Sequence, residues 1–140
     1  MLRFAAVYLA VPAVLLCCAP AFAHHSTAEF DYTKTVMLQG VVKEFGWTNP
    51  HSYMQLMVPD ATGKLQQWAI EYGAPNINAR MGWRKDSVKP GMKVQLNIAP
   101  ARDGRPYGTL RVIQLPDGSQ LQGVAARVPV TGVIPPSEQK

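Results

Sequence analysis

Thiol chemistry is nearly absent from this chain. Its two cysteines, Cys17 and Cys18, sit side by side in an apolar N-terminal run, and none follows. That excludes a disulfide framework, a cysteine nucleophile and a thiolate metal cluster in the remainder. Long hydrophobic runs are also missing. The longest, Phe4 to Cys18, is interrupted by Pro12 and falls short of the roughly 20 residues a spanning helix needs. Charge is sparse and unfocused. Lys and Arg number 14 against 9 acidic residues, a formal net of +5, and the basic residues are scattered rather than clustered. Nucleic acid demands a concentrated basic face, so it is excluded as a partner. There is no Gly-rich phosphate loop, internal repeat or low-complexity segment. Ser26, Ser52, Ser87, Ser119 and Ser137 lie in no nucleophile-elbow context. Glu44 and Glu71 are strand carboxylates whose pairing spacing alone does not establish. With no catalytic constellation, the chain reads as a non-enzyme.

The N-terminus carries an export pattern. Arg3 supplies positive charge, the apolar run follows, and Ala21-Phe22-Ala23 offers small residues where a signal peptidase cuts. Leu15 and Leu16 ahead of the cysteines fit lipidation badly, so both cysteines are expected to leave with residues 1–23. The expected product is a periplasmic protein beginning at His24, with no membrane span. Residues 24–123 form one domain and residues 124–140, with Pro129, Pro135 and Pro136, a flexible tail.

Hydrophobic periodicity gives the element order. Thr35 to Trp47 is apolar on both parities with Gly40 inside it, as suits a bent strand shared between two sheets. Ser52 to Val58 and Leu65 to Tyr72 alternate around Pro59 to Gly63, a hairpin. Pro75 opens and Gly82 closes a short helix, with Ile77 and Met81 on one face. Met92 to Ala99 and Thr109 to Leu115 are two further strands, with a short one around Gln120 to Gln122. The order predicts an all-β protein with one short helix, a small five-stranded OB-like Greek-key barrel. A loose antiparallel sandwich would give a similar string.

The candidate site residues are few. Cleavage after Ala23 would place His24 at the terminus, where its α-amine, its ring and that of His25 offer nitrogen ligands for one ion. Nitrogen-rich, near-planar sets favour Cu(II) or Ni(II), and an α-amine of pKa about 8 yields its proton readily. His51, after a Pro-containing turn, is a third candidate if the N-terminal arm folds back. Glu29 and Asp31 are the acidic residues nearest in sequence to support such ligands. Read structurally, His24 and His25 are only an exposed chain start, and His51 a turn residue bonded to a carbonyl. Met37, Met54, Met57, Met81 and Met92 occur singly and suit core filling better than Cu(I). Trp68 falls on the core parity. Trp47 and Trp83, at element ends, and Asn49 in the turn after Trp47 are candidates for a rim that holds a small ligand, a glycan or a periplasmic protein partner.

Several motifs together resemble an uncharacterised bacterial periplasmic family, a domain of unknown function. They are His24-His25-Ser26, Phe30-Asp31, Leu38-x-Gly40-x-Val42 and Trp47-Thr48-Asn49-Pro50-His51, then Gly73-Ala74-Pro75, Arg80-x-Gly82-Trp83, Lys89-Pro90-Gly91 and Pro100 to Gly104. The resemblance covers His24 to Leu121. It implies a signal peptide and a small β-rich periplasmic domain, with a signature on His24, His25, Asn49, Pro50 and His51. It implies no activity.

Overall fold

A chain in which apolar residues alternate along five strands can hide them only by rolling the sheet up or stacking two sheets. This one closes a ring. The structure, a computed structural model, describes residues 26–127 and 133–134. A single helical turn, α1 (Ser26–Glu29), leads into strand β1 (Thr35–Gly46), and β2 (Tyr53–Pro59) and β3 (Leu65–Glu71) follow as a hairpin. The short helix α2 (Pro75–Arg80) precedes β4 (Lys93–Pro100) and β5 (Tyr107–Gln114). Around the ring the order is β1-β2-β3-β5-β4 and back to β1. All these pairs are antiparallel except β3 with β5. The expected all-β fold and OB-like strand order are observed.

β1 closes the ring because it bends. Its first half pairs with β4 from Val36 to Val41, and its second half with β2 from Val41 to Gly46, with a register shift between Val42 and Glu44. At Gly40 an added Cβ would lie 2.4 Å from the Met57 carbonyl oxygen, so only glycine lets β2 approach there. Inward residues from every strand, among them Val36, Leu38, Leu56, Ile70, Ile98 and Leu110, fill the interior. Trp68 joins them as expected.

Ile77 is exposed, Met81 packs against the core, and the buried residue of α2 is Asn78. Its Nδ2 donates to the Gly73 carbonyl (2.7 Å) and to Ser52 Oγ (3.2 Å). Two short pieces of the stretch from Val124 onward are described. After β6 (Gln120–Gln122), Val124–Arg127 forms a 3-10 turn that buries Ala125, and β7 (Val133–Ile134) pairs in parallel with Thr35 and Val36. Among the described residues no helix is long and apolar enough to cross a membrane.

Candidate functional site

The Trp47 to His51 motif is the connection from β1 to β2. Thr48 Oγ1 donates to the His51 carbonyl, and the Asn49–Pro50 peptide is cis. Ser52 then locks to the end of β3: its N–H donates to the Gly73 carbonyl at 3.1 Å and its carbonyl accepts from Tyr72 at 2.9 Å. These bonds fix His51 beside Glu71. His51 Nδ1 lies 2.8 Å from Glu71 Oε1. An ionised carboxylate can only accept, so Nδ1 carries the proton of that contact, and in the neutral ring the lone pair is then on Nε2. Beside the carbonyl partner expected of a turn histidine, the contact to Glu71 was not foreseen.

Glu71 is held from its other side as well. Tyr107, the first residue of β5, donates its hydroxyl to Glu71 Oε2, and Arg105 stacks over the Tyr107 ring at 4.6 Å. Burial, followed by the hydrogen bond to Glu71, pushes the Tyr107 phenol well above its ordinary pKa, so it remains a donor. Sequence reasoning named Glu71 only as a strand carboxylate and missed Tyr107. The parallel pairing of β3 and β5, with Ala69 opposite Tyr107, brings them together, and nothing local signals it. Glu44, the other strand carboxylate, accepts instead from the Tyr53 hydroxyl.

The N-terminal arm folds onto this same end of the ring. Phe30 bridges to Ala101, the Arg102 N–H donates to the Glu29 carbonyl, and Arg105 pairs with the Glu29 carboxylate. The Phe30 ring packs 5.1 Å from that of Tyr107. Glu29 therefore serves the loop between β4 and β5, and Asp31 turns back on Thr33 and Lys34. Neither expected support residue reaches His51. Arg111, buried in β5, fastens the arm further by donating to the carbonyls of Tyr32 (2.6 Å) and Ala125 (3.0 Å). Burial lowers its pKa from the ordinary guanidinium value.

Phe30, Tyr32, Pro50, His51, Glu71 and Tyr72 line a cavity of about 570 Å³. The buried Tyr72 hydroxyl finds no partner among the described residues, and burial raises its pKa well above the ordinary value. Asn49 is exposed in the turn. Trp47 is half-buried, with its ring 6.2 Å from Phe45. Trp83 is only 2% exposed and donates its indole N–H to the Gln122 carbonyl at 2.7 Å. The rim position expected for Trp83 is therefore corrected: it is a core residue, its ring stacked on Phe45 and tilted against Tyr72. His24 and His25 lie outside the described residues. Among those described, no group of three His, Cys, Asp or Glu side chains converges to hold a metal.

These features define a small OB-ordered β ring with a histidine–carboxylate–tyrosine site at one end. The chain belongs to a family of unknown function, DUF6152, whose model matches residues 13–111. No curated protein and no solved structure matches it.

Proposed function

We propose that this protein is an exported binding protein that holds a Cu(II) ion through His51 together with the mature N-terminal residues His24 and His25. The observation that carries the reading is the 2.8 Å contact between His51 Nδ1 and Glu71. Metal-ligating histidines characteristically give their second nitrogen to a carboxylate, which fixes the ring and makes the other nitrogen more basic. Tyr107 orients that carboxylate in turn. The docked arm supports the same reading. Phe30 shares a cavity with His51, and His25 stands five positions earlier, a span of at most about 17 Å when extended. Export matters because only cleavage after Ala23 frees an α-amine beside these rings.

A second reading is favoured by the cavity itself. Its volume, about 570 Å³, is that of small-ligand pockets, and Tyr72 is among its lining residues. Copper titration of the protein beginning at His24, followed by electron paramagnetic resonance, separates the two. Tight nitrogen-rich binding should fall on His51→Ala and on adding a Met before His24. If both changes leave copper affinity untouched, the metal reading fails and the small-ligand reading stands.

A further inference from the structure

β2 starts two residues after His51 and runs to Pro59, and antiparallel β3 returns from Leu65 to Glu71, so the Pro59 to Leu65 turn lies roughly 20 Å from His51 at about 3.3 Å per residue. There a second, larger concavity of about 830 Å³ opens. Its walls are apolar: Val41, Met57, Pro59, Leu65, Leu115 and Pro116. Among the described residues three large hydrophobic side chains are exposed, and two of them, Val41 at 39% and Leu65 at 57%, stand in this groove. Exposed apolar side chains gathered in one concavity mark a binding surface, whereas scattered ones are ordinary.

The polar groups on the lining are selective. Gln39, Gln95 and Gln114 are neutral amides, and Gln39 Nε2 donates to Gln95 Oε1 at 2.9 Å. The single ionic group is Lys93, and no carboxylate is among the lining residues. Asp60 and Asp117, in the flanking loops, are turned back on their own turns. Asp60 accepts from Thr62 and Lys64, and Asp117 from Ser119. An apolar trough with one cation at its edge is complementary to an apolar chain ending in an anion.

We propose that this groove is a second binding site, for a single-chain anionic amphiphile of the fatty-carboxylate class, with the chain along Val41, Met57 and Leu65 and the headgroup at Lys93. This site is separate from the His51 end and does not rest on the metal reading.

The test uses the protein from His24 to Lys140 and dansyl-undecanoic acid, with its methyl ester as the uncharged control. Saturable enhancement of dansyl emission is expected, with one probe per chain. Leu65→Gln, a change at a side chain already in solvent, should weaken acid and ester alike while circular dichroism stays unchanged. Lys93→Glu should weaken the acid about fivefold and leave the ester unaffected, the size expected of an exposed ion pair. His51→Ala should change neither. Absence of saturable binding overturns the proposal, as does binding indifferent to Leu65→Gln. Equal loss of acid and ester on Lys93→Glu overturns the anionic class. If the protein alone is a dimer that Leu65→Gln dissociates, the groove is covered by a second copy and the proposal falls.

Discussion

The two ends of the ring are built on opposite physical terms. At the His51 end, polar side chains are sunk into the fold with named partners: Ser52 and Asn78 hold the β1–β2 turn, Glu71 holds His51, and Arg111 holds the arm. At the other end the chain leaves Val41 and Leu65 in solvent around a trough with one ionic group. Buried hydrogen bonds are directional, so they fix side chains in one arrangement; apolar contacts are not, so they leave a surface adaptable. The first end suits a ligand needing fixed geometry, such as a metal ion. The second suits one recognised by its apolar body.

The largest effect should come from cutting the polar scaffold. Arg111→Met removes a buried guanidinium that donates to the Tyr32 and Ala125 carbonyls and so ties the arm and the 3-10 turn to β5. Hydrogen bonds from a charged donor contribute about 1.5–3 kcal/mol each, partly recovered here by water, so a loss of about 3 kcal/mol is expected. Leu115→Ala, a half-buried side chain at the groove end, should cost only about 1 kcal/mol. Urea melts of both variants measure this. A larger loss from Leu115→Ala would reverse the contrast between the ends.

Next in size is Glu71→Gln. It removes the carboxylate behind His51 while keeping its shape, and copper affinity should drop about tenfold, at the lower edge of what lost second-sphere partners cost. Dansyl-undecanoic acid binding should stay as it was, because sites this far apart with no shared partner behave additively. Isothermal titration with each ligand on the same sample reads both. Copper affinity unchanged by Glu71→Gln would reduce the His51–Glu71 contact to a structural one.

How much of this was legible in the sequence follows from how local each feature is. The strands, the hairpin, the sharing of β1 between two partners and the ends of α2 are set by side-chain alternation and by breakers within a few residues, so they read correctly. His51 was legible because it sits in a distinctive turn. Its partner was not: Glu71 is 20 positions away and Tyr107 a further 36, and only the parallel pairing of β3 with β5 unites them. Trp83 failed for a related reason. Its place at an element end suggested a rim, yet a distant partner at Gln122 and the rings of Phe45 and Tyr72 bury it. The groove was invisible because Val41 and Leu65 look like any strand residue until the ring closes.

The smallest expected effect compares the loops at the two ends by their response to acid. Asp31 at the His51 end, and Asp60 and Asp117 at the groove end, each accept hydrogen bonds from a hydroxyl and an N–H two residues on. All three carboxyls are held below their ordinary pKa of 3.8, chiefly by the hydroxyl bond. A depressed folded pKa means the stabilisation is fully present above the unfolded value and is lost as pH falls through the folded one. Stability should therefore decline from about pH 4 downward, and each Asp→Asn variant should flatten that decline. The Asp31 side chain is only 14% exposed and also faces Lys34 at 3.4 Å, whereas Asp60 and Asp117 are exposed. Screening by water should make Asp31→Asn flatten the curve most. Urea melts from about pH 5 to about pH 2 would check this. A steeper contribution from Asp60 or Asp117 would mean that the Asp31 turn adds nothing to the arm that acid can remove.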